Sequence, residues 1–89
     1  MTSTSVTVAN PLGMHARAAA KFVHLAATFE SRIRVGRPGR EMDGKSIMGI
    51  LLLAAARGMT ITISADGADE AAAVAALVAM VEDGFGEAS

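Results

Sequence analysis

The stretch Ser5-Val6-Thr7-Val8-Ala9-Asn10-Pro11-Leu12-Gly13-Met14-His15-Ala16-Arg17-Ala18-Ala19-Ala20-Lys21-Phe22-Val23 holds the two periods from which the whole fold is built. Ser5 to Ala9 alternates, with Val6 and Val8 on one side and Thr7 on the other, the pattern of a half-buried strand. Asn10-Pro11-Leu12-Gly13 breaks that pattern. From His15 to Phe29 the apolar positions Ala16, Ala19, Ala20, Val23, Ala26 and Ala27 recur at helical spacing, and Phe22, Leu25 and Phe29 widen the stripe. Arg17, Lys21 and His24 fall on the opposite, polar face. A strand therefore runs through a tight break into an amphipathic helix.

The same change of period repeats down the chain. Arg32-Ile33-Arg34-Val35 alternates, turns at Pro38-Gly39 and continues from Arg40 to Asp43, a hairpin with a charged outer side. Ser46 stands at the cap of a second helix, Ile47 to Ala56, expected to close on Arg57 and a left-handed Gly58. Met59 to Ala65 alternates again. After Asp66-Gly67, Asp69 is expected to cap a third helix with Val74, Leu77, Val78, Val81 and Phe85 on its inner stripe, ended by Gly84 or Gly86. The order β-α-β-β-α-β-α predicts an α+β two-layer open-faced sandwich with its helices on one side of the sheet. An antiparallel sheet can leave its other face in water, which suits the Thr, Ser and Arg alternation.

Eighty-nine residues without cysteine give room for one core, and a single domain over residues 1–89 is expected. Nineteen alanines, favouring helix, leave twenty-seven larger apolar side chains to build that core. The net charge of -1 hides a split: all eight basic residues precede position 58, and six of the nine acids follow position 60. One positive working surface is expected, with the acidic last third on the closing helix and tail, away from it. The longest apolar run, Ile47 to Ala56, is too short to span a bilayer, and the N-terminus lacks the features of a secretory signal, so a cytoplasmic protein without membrane insertion is expected. Thiol chemistry and Cys-type zinc sites are excluded, and His15 and His24 do not have metal-ligand spacing, so neither metal nor cofactor is expected. The basic half lacks aromatic residues for stacking apart from Phe22 and Phe29, both assigned to the core, which argues against nucleic acid.

His15 follows a glycine turn and opens a helix, where unpaired N–H groups and the helix dipole favour an anion such as phosphate, and Arg17 adds a charged fork. Imidazole, with an unperturbed pKa near ~6.5, is itself a nucleophile when neutral. His15 thus reads either as a phosphoryl acceptor or as a solvated capping residue, and His24 as a solvated residue of the helix face. Ile47, Met48, Ile50, Leu51, Leu52 and Leu53 point in all directions from the second helix, which is therefore either sunk in the core or a docking patch that Met14 extends. Ser46 reads as a helix cap, and as a position where an added phosphate would sit beside that patch without opposing the helix dipole.

Asn10-Pro11-Leu12-Gly13-Met14-His15-Ala16-Arg17 and Gly44-Lys45-Ser46-Ile47-Met48-Gly49-Ile50 resemble the two signature regions of the HPr family, the phosphocarriers of the bacterial phosphoenolpyruvate-dependent sugar phosphotransferase system. The resemblance runs from about Ser5 to Gly84. It implies a four-stranded sheet of order 1-4-2-3, and a phosphoryl group on Nδ1 of His15 that Arg17 neutralises. It implies enzyme I as donor, enzyme IIA components as acceptors, and a monomeric stoichiometric carrier that is not an enzyme with turnover of its own. It carries an apolar partner surface onto Ile47, Met48 and Leu51, which Met14, Ala20, Lys21 and Lys45 are expected to extend, and a regulatory serine, the target of a dedicated kinase/phosphorylase, onto Ser46. A nitrogen-related branch carrier and a non-catalytic interaction module are the alternatives. Ala18 stands where the family usually has proline, which restores a backbone N–H near the helix start and is expected to alter the orientation of Arg17 or the phosphoryl lifetime modestly.

Overall fold

A computed structural model describes residues 1–87. Its elements are β1 (Thr2–Thr7), α1 (Ala16–Ala26), β2 (Arg32–Arg37), β3 (Arg40–Asp43), α2 (Ile47–Leu53), β4 (Thr60–Asp66) and α3 (Glu70–Glu82), followed by a short 3-10 turn at Gly84–Gly86. The four strands form one antiparallel sheet in the order β1-β4-β2-β3, as expected. The alternation in the sequence sorts the two faces. Val6, Ile33, Val35, Ile61, Ile63 and Ala65 are buried under the helices. On the outer face hydroxyls meet across β1 and β4, Ser3 with Ser64 at 2.8 Å and Ser5 with Thr62 at 3.2 Å.

The helical layer closes the core with Ala18, Ala19, Phe22 and Ala26 from α1, Ile50 and Leu53 from α2, and Ala73, Val74, Leu77 and Val81 from α3. Full burial of each larger side chain stabilises the fold by roughly 1.5–3 kcal/mol. The alanines let α1 lie close to its neighbours α2 and α3. Ala16 and Ala27 lie exposed at the two ends of α1, so the inner stripe is narrower than the sequence period suggests.

Three helix ends differ from expectation. The α2 helix stops at Leu53, not Ala56, because Ala54 adopts a left-handed conformation (φ 56°) and donates its N–H to Leu51 O. The chain must turn there so that Ala55 can enter the core and its carbonyl can accept from Met14 N at 3.0 Å. The basic group at that helix end is Arg40 from the hairpin, whose Nη1 donates to Leu52 O at 2.6 Å, while Arg57 is exposed. Asp69 is the N-cap residue of α3, its carbonyl accepting from Ala73 N at 2.9 Å, but its side chain makes no cap bond; its carboxylate reaches across to the start of β2, accepting from Glu30 N at 2.8 Å, from Ser31 N at 2.9 Å and from the Ser31 hydroxyl. The α3 helix ends at Glu82, and Phe85 lies beyond it in the core. Gly84, Phe85 and Gly86 all have positive φ, at 65°, 59° and 73°. For Phe85 that conformation costs about 1–2 kcal/mol, which burial of its ring offsets.

Candidate functional site

The Asn10 to Met14 turn is bolted to the end of α2. Gly13 sits at φ 63°, and a Cβ there would stand 2.6 Å from Ala55 O, so only glycine lets the turn approach so closely. Met14 donates its N–H to Ala55 O and buries its side chain, leaving it 5% exposed. Met14 therefore does not extend the exposed apolar patch: the backbone bond that fixes the turn points its side chain into the core.

His15 is the N-cap of α1, with an extended backbone (φ -74°, ψ 176°) and a carbonyl that accepts from Ala19 N at 2.8 Å. Its side chain makes no cap bond, so the first-turn amides of α1 face the site without an intrahelical acceptor. The ring is 26% exposed. Its Nε2 lies 2.8 Å from Oε2 of Glu87. That same oxygen accepts from Nδ2 of Asn10 at 2.9 Å, and Nδ2 also donates to Gly13 O at 2.7 Å. Both hydrogens of the buried Asn10 amide are thus used, which orients it.

Glu87 and Asn10 were not identifiable as site residues from composition or period, and Glu87 overturns the expectation that the acidic last third stays clear of the chemistry. The tail folds back because Gly84, Phe85 and Gly86 reverse the chain, and Lys21 Nζ clamps it by donating to Phe85 O at 2.7 Å. Two glycines around a phenylalanine after the last helix were the signal of that reversal. The hydrogen bond from His15, followed by its charge, the bond from Asn10 and the charge of Lys21, holds the Glu87 carboxyl below the usual glutamate value, and desolvation opposes them.

Arg17 is exposed two residues into the same helix and enters no ion pair among the described residues. His24 is exposed on the outer face of α1. The surroundings are open: a shallow groove of about 160 Å3 beside Asn10 and Glu87 is lined also by Pro11, Asp83 and Gly84. A larger groove of about 420 Å3, between Arg37, Arg40, Glu41 and Thr60, belongs to the β2–β3 hairpin and the strand beside it. Among the described residues no group of three His, Asp or Glu side chains could hold a metal ion, and no helix is long and apolar enough to cross a membrane.

On α2, Ile47, Met48, Leu51 and Leu52 are 40%, 64%, 36% and 53% exposed, while Ile50 and Leu53 are buried. The short helix thus turns one flank into the core and leaves the other as an apolar surface. Ser46 caps it, its Oγ accepting from Gly49 N at 3.0 Å. Of the remaining candidates, Ala20 is half-buried on α1, Lys21 is exposed and holds the tail, and Lys45 donates from Nζ to Phe29 O at 2.7 Å.

A histidine cap beside an exposed apolar helix, on a 1-4-2-3 open-faced sandwich, is matched in known proteins. The family described as PTS HPr component phosphorylation site matches residues 2–83. The chain belongs to the HPr family. Phosphocarrier protein HPr of Cupriavidus necator is 47% identical over 87 residues, 98% of each chain. The crystal structure of HPr-C-His from Thermoanaerobacter tengcongensis superposes with a TM-score of 0.96 at 40% identity, covering 100% of both chains. Phosphocarrier protein NPr of Shewanella violacea is 40% identical, over 94% of this chain and 92% of that one. Membership in the HPr family makes this chain a phosphocarrier of the phosphotransferase system, and the HPr relatives favour the main reading over a nitrogen-related branch.

Proposed function

We propose that the chain is a one-domain, cytoplasmic carrier that takes a phosphoryl group from enzyme I on His15 and passes it to enzyme IIA components of sugar permeases. The observation that carries this reading is the placement of His15: a partly exposed imidazole at a helix start, with one nitrogen held by Glu87 and the other left for reaction. A neutral imidazole nitrogen in line with phosphorus, with positive charge near the equatorial oxygens, is what the transfer requires of the carrier. The helix-start amides and Arg17 supply that charge. The openness of the site suits a group that two different partners must reach, and docking supplies the alignment.

The apolar flank of α2, with Ile47, Met48 and Leu51, is the contact surface for both partners, and Ala20, Lys21 and Lys45 flank it. A monomer leaves this surface free. Turnover belongs to the partners, so the chain acts stoichiometrically. Ser46 is the regulatory position: its half-buried hydroxyl caps α2 next to the apolar flank, and a phosphate there would repel an acidic partner without breaking the helix. A kinase/phosphorylase would be its modifying partner.

The assay is a chase. The chain is labelled with phosphoenolpyruvate and enzyme I from either the sugar or the nitrogen-related branch, then mixed with enzyme IIA. Labelling by the sugar-branch donor and loss of label to enzyme IIA are expected. Labelling by the nitrogen-branch donor alone contradicts the sugar reading.

A further inference from the structure

We propose that Glu87 is a positioning residue for phosphoryl transfer, holding His15 through its Nε2–H so that Nδ1 keeps the free lone pair and receives the phosphoryl group. The proposal rests on the phosphocarrier reading of His15.

A neutral imidazole has one N–H and one lone pair, and a carboxylate can only accept. With Oε2 at 2.8 Å, the nitrogen that faces Glu87 must be the donor. Asn10 donates to the same oxygen, so the carboxylate is fixed from a second side and cannot trade roles with the ring. The lone pair is therefore on Nδ1. Three anchors bring Glu87 to this place: the buried ring of Phe85, the bond from Lys21 to Phe85 O, and Asn10, itself tied to Gly13 O. Together they aim one carboxylate at one ring edge.

In the transfer the Nδ1 lone pair forms the bond to phosphorus as the bond between phosphorus and the donor's leaving atom breaks, its electron pair returning to the donor. Positive charge appears on the ring, and the Nε2 proton stays where it is, facing the Glu87 carboxylate. The reverse transfer returns the pair to Nδ1. Glu87 thus stabilises the ring-protonated phosphohistidine, in which the imidazole is the better leaving group. The other charges on the elements around this corner are Arg17 and Lys21 on α1, Glu82 and Asp83 at the end of α3, and Arg57 after α2.

The test uses the full chain in two states. At about pH 8.5, where imidazole is neutral, 15N NMR of His15 reads the tautomer. Potassium phosphoramidate, which phosphorylates imidazole with release of ammonia and needs no partner protein, then gives the phospho form, whose 31P signal is titrated. The Nε2–H tautomer is expected in the parent chain. Glu87→Ala is expected to raise the Nδ1–H population several-fold, and Glu87→Gln, whose amide oxygen still accepts, to keep Nε2–H. The 31P midpoint is expected to fall by roughly half a unit to one unit in both variants. Either readout unchanged in Glu87→Ala, or failure of Glu87→Gln to keep the tautomer, overturns the proposal. A chain in which phosphoramidate labels the exposed His24 but not His15 contradicts the carrier reading, and the tautomer readout then decides the role of Glu87 by itself.

Discussion

Glu87 Oε2 and His15 Nε2, 72 residues apart in sequence, meet at 2.8 Å. The contact joins the segment after α3 to the first helix and makes Glu87 part of the site. It also changes how the charge split is understood. The basic half does contain His15, Arg17 and Lys21, but one acid from the opposite half completes the arrangement, and Lys21 serves it by holding the tail in place.

The end of α2 carries a removable cost. Ala54 sits at φ 56°, where a Cβ costs about 1–2 kcal/mol and glycine nothing. Against this, glycine loses more freedom on folding, by roughly 0.5–1 kcal/mol. Ala54→Gly is therefore expected to stabilise the chain by about 0.5–1 kcal/mol in urea unfolding, with an unchanged m-value. A loss of stability contradicts the left-handed cap.

Ser46 is both cap and proposed switch, and two variants separate the roles. Ser46→Ala removes the acceptor for Gly49 N and is expected to cost about 0.5–2 kcal/mol. Ser46→Asp keeps a good cap and adds charge, so it is expected to retain most of the stability while weakening partner binding severalfold. Calorimetry and a binding titration with enzyme I read the two effects. Equal binding by Ser46→Asp and the parent chain contradicts the switch.

Most of the fold was legible because the sheet obeys a period of two and the helices one of 3.6. Val6, Ile61 and Ile63 against Ser5 and Thr62 are enough to orient the sheet. The excess of apolar residues on α2 was legible too, since a short helix on an open-faced sheet cannot bury Met48 and Ile50 at once. Glu87, Asn10 and Asp69 were not. Each works through a contact between segments far apart in the chain, and local patterns carry no trace of such contacts. Asp69 holds the cap position that local pattern gives it, but the backbone of Glu30 and Ser31 competed for its carboxylate and won.

That competition has a pH signature. Hydrogen bonds from the Ser31 hydroxyl and then from the Glu30 and Ser31 backbone hold the Asp69 carboxyl below the usual aspartate value, against desolvation. A carboxyl depressed in the folded state binds fewer protons there than in the unfolded chain, so stability rises with pH in this range. The contribution is complete above the unfolded pKa near ~3.9 and is lost as pH falls through the lower folded value. Asp69→Asn is therefore expected to be less stable than the parent at neutral pH, with the gap narrowing below about pH 4. A gap independent of pH contradicts the Asp69 network.

Met48 tests the contact surface without touching the core. It is 64% exposed, so Met48→Asp is expected to change stability by no more than about 0.5 kcal/mol. The rate of phosphoryl transfer from enzyme I at limiting concentration is expected to fall at least tenfold, because docking places the phosphorus in line with the ring. A stable Met48→Asp chain that accepts phosphate at the parent rate rules out the α2 flank as the docking surface.

The central claim is that His15 carries the phosphoryl group, and intact mass after incubation with phosphoenolpyruvate and enzyme I tests it most directly. The account predicts a gain of one phosphoryl group, lost on mild acid treatment and absent in His15→Ala. A gain that survives in His15→Ala, or no gain with any cognate enzyme I, contradicts it.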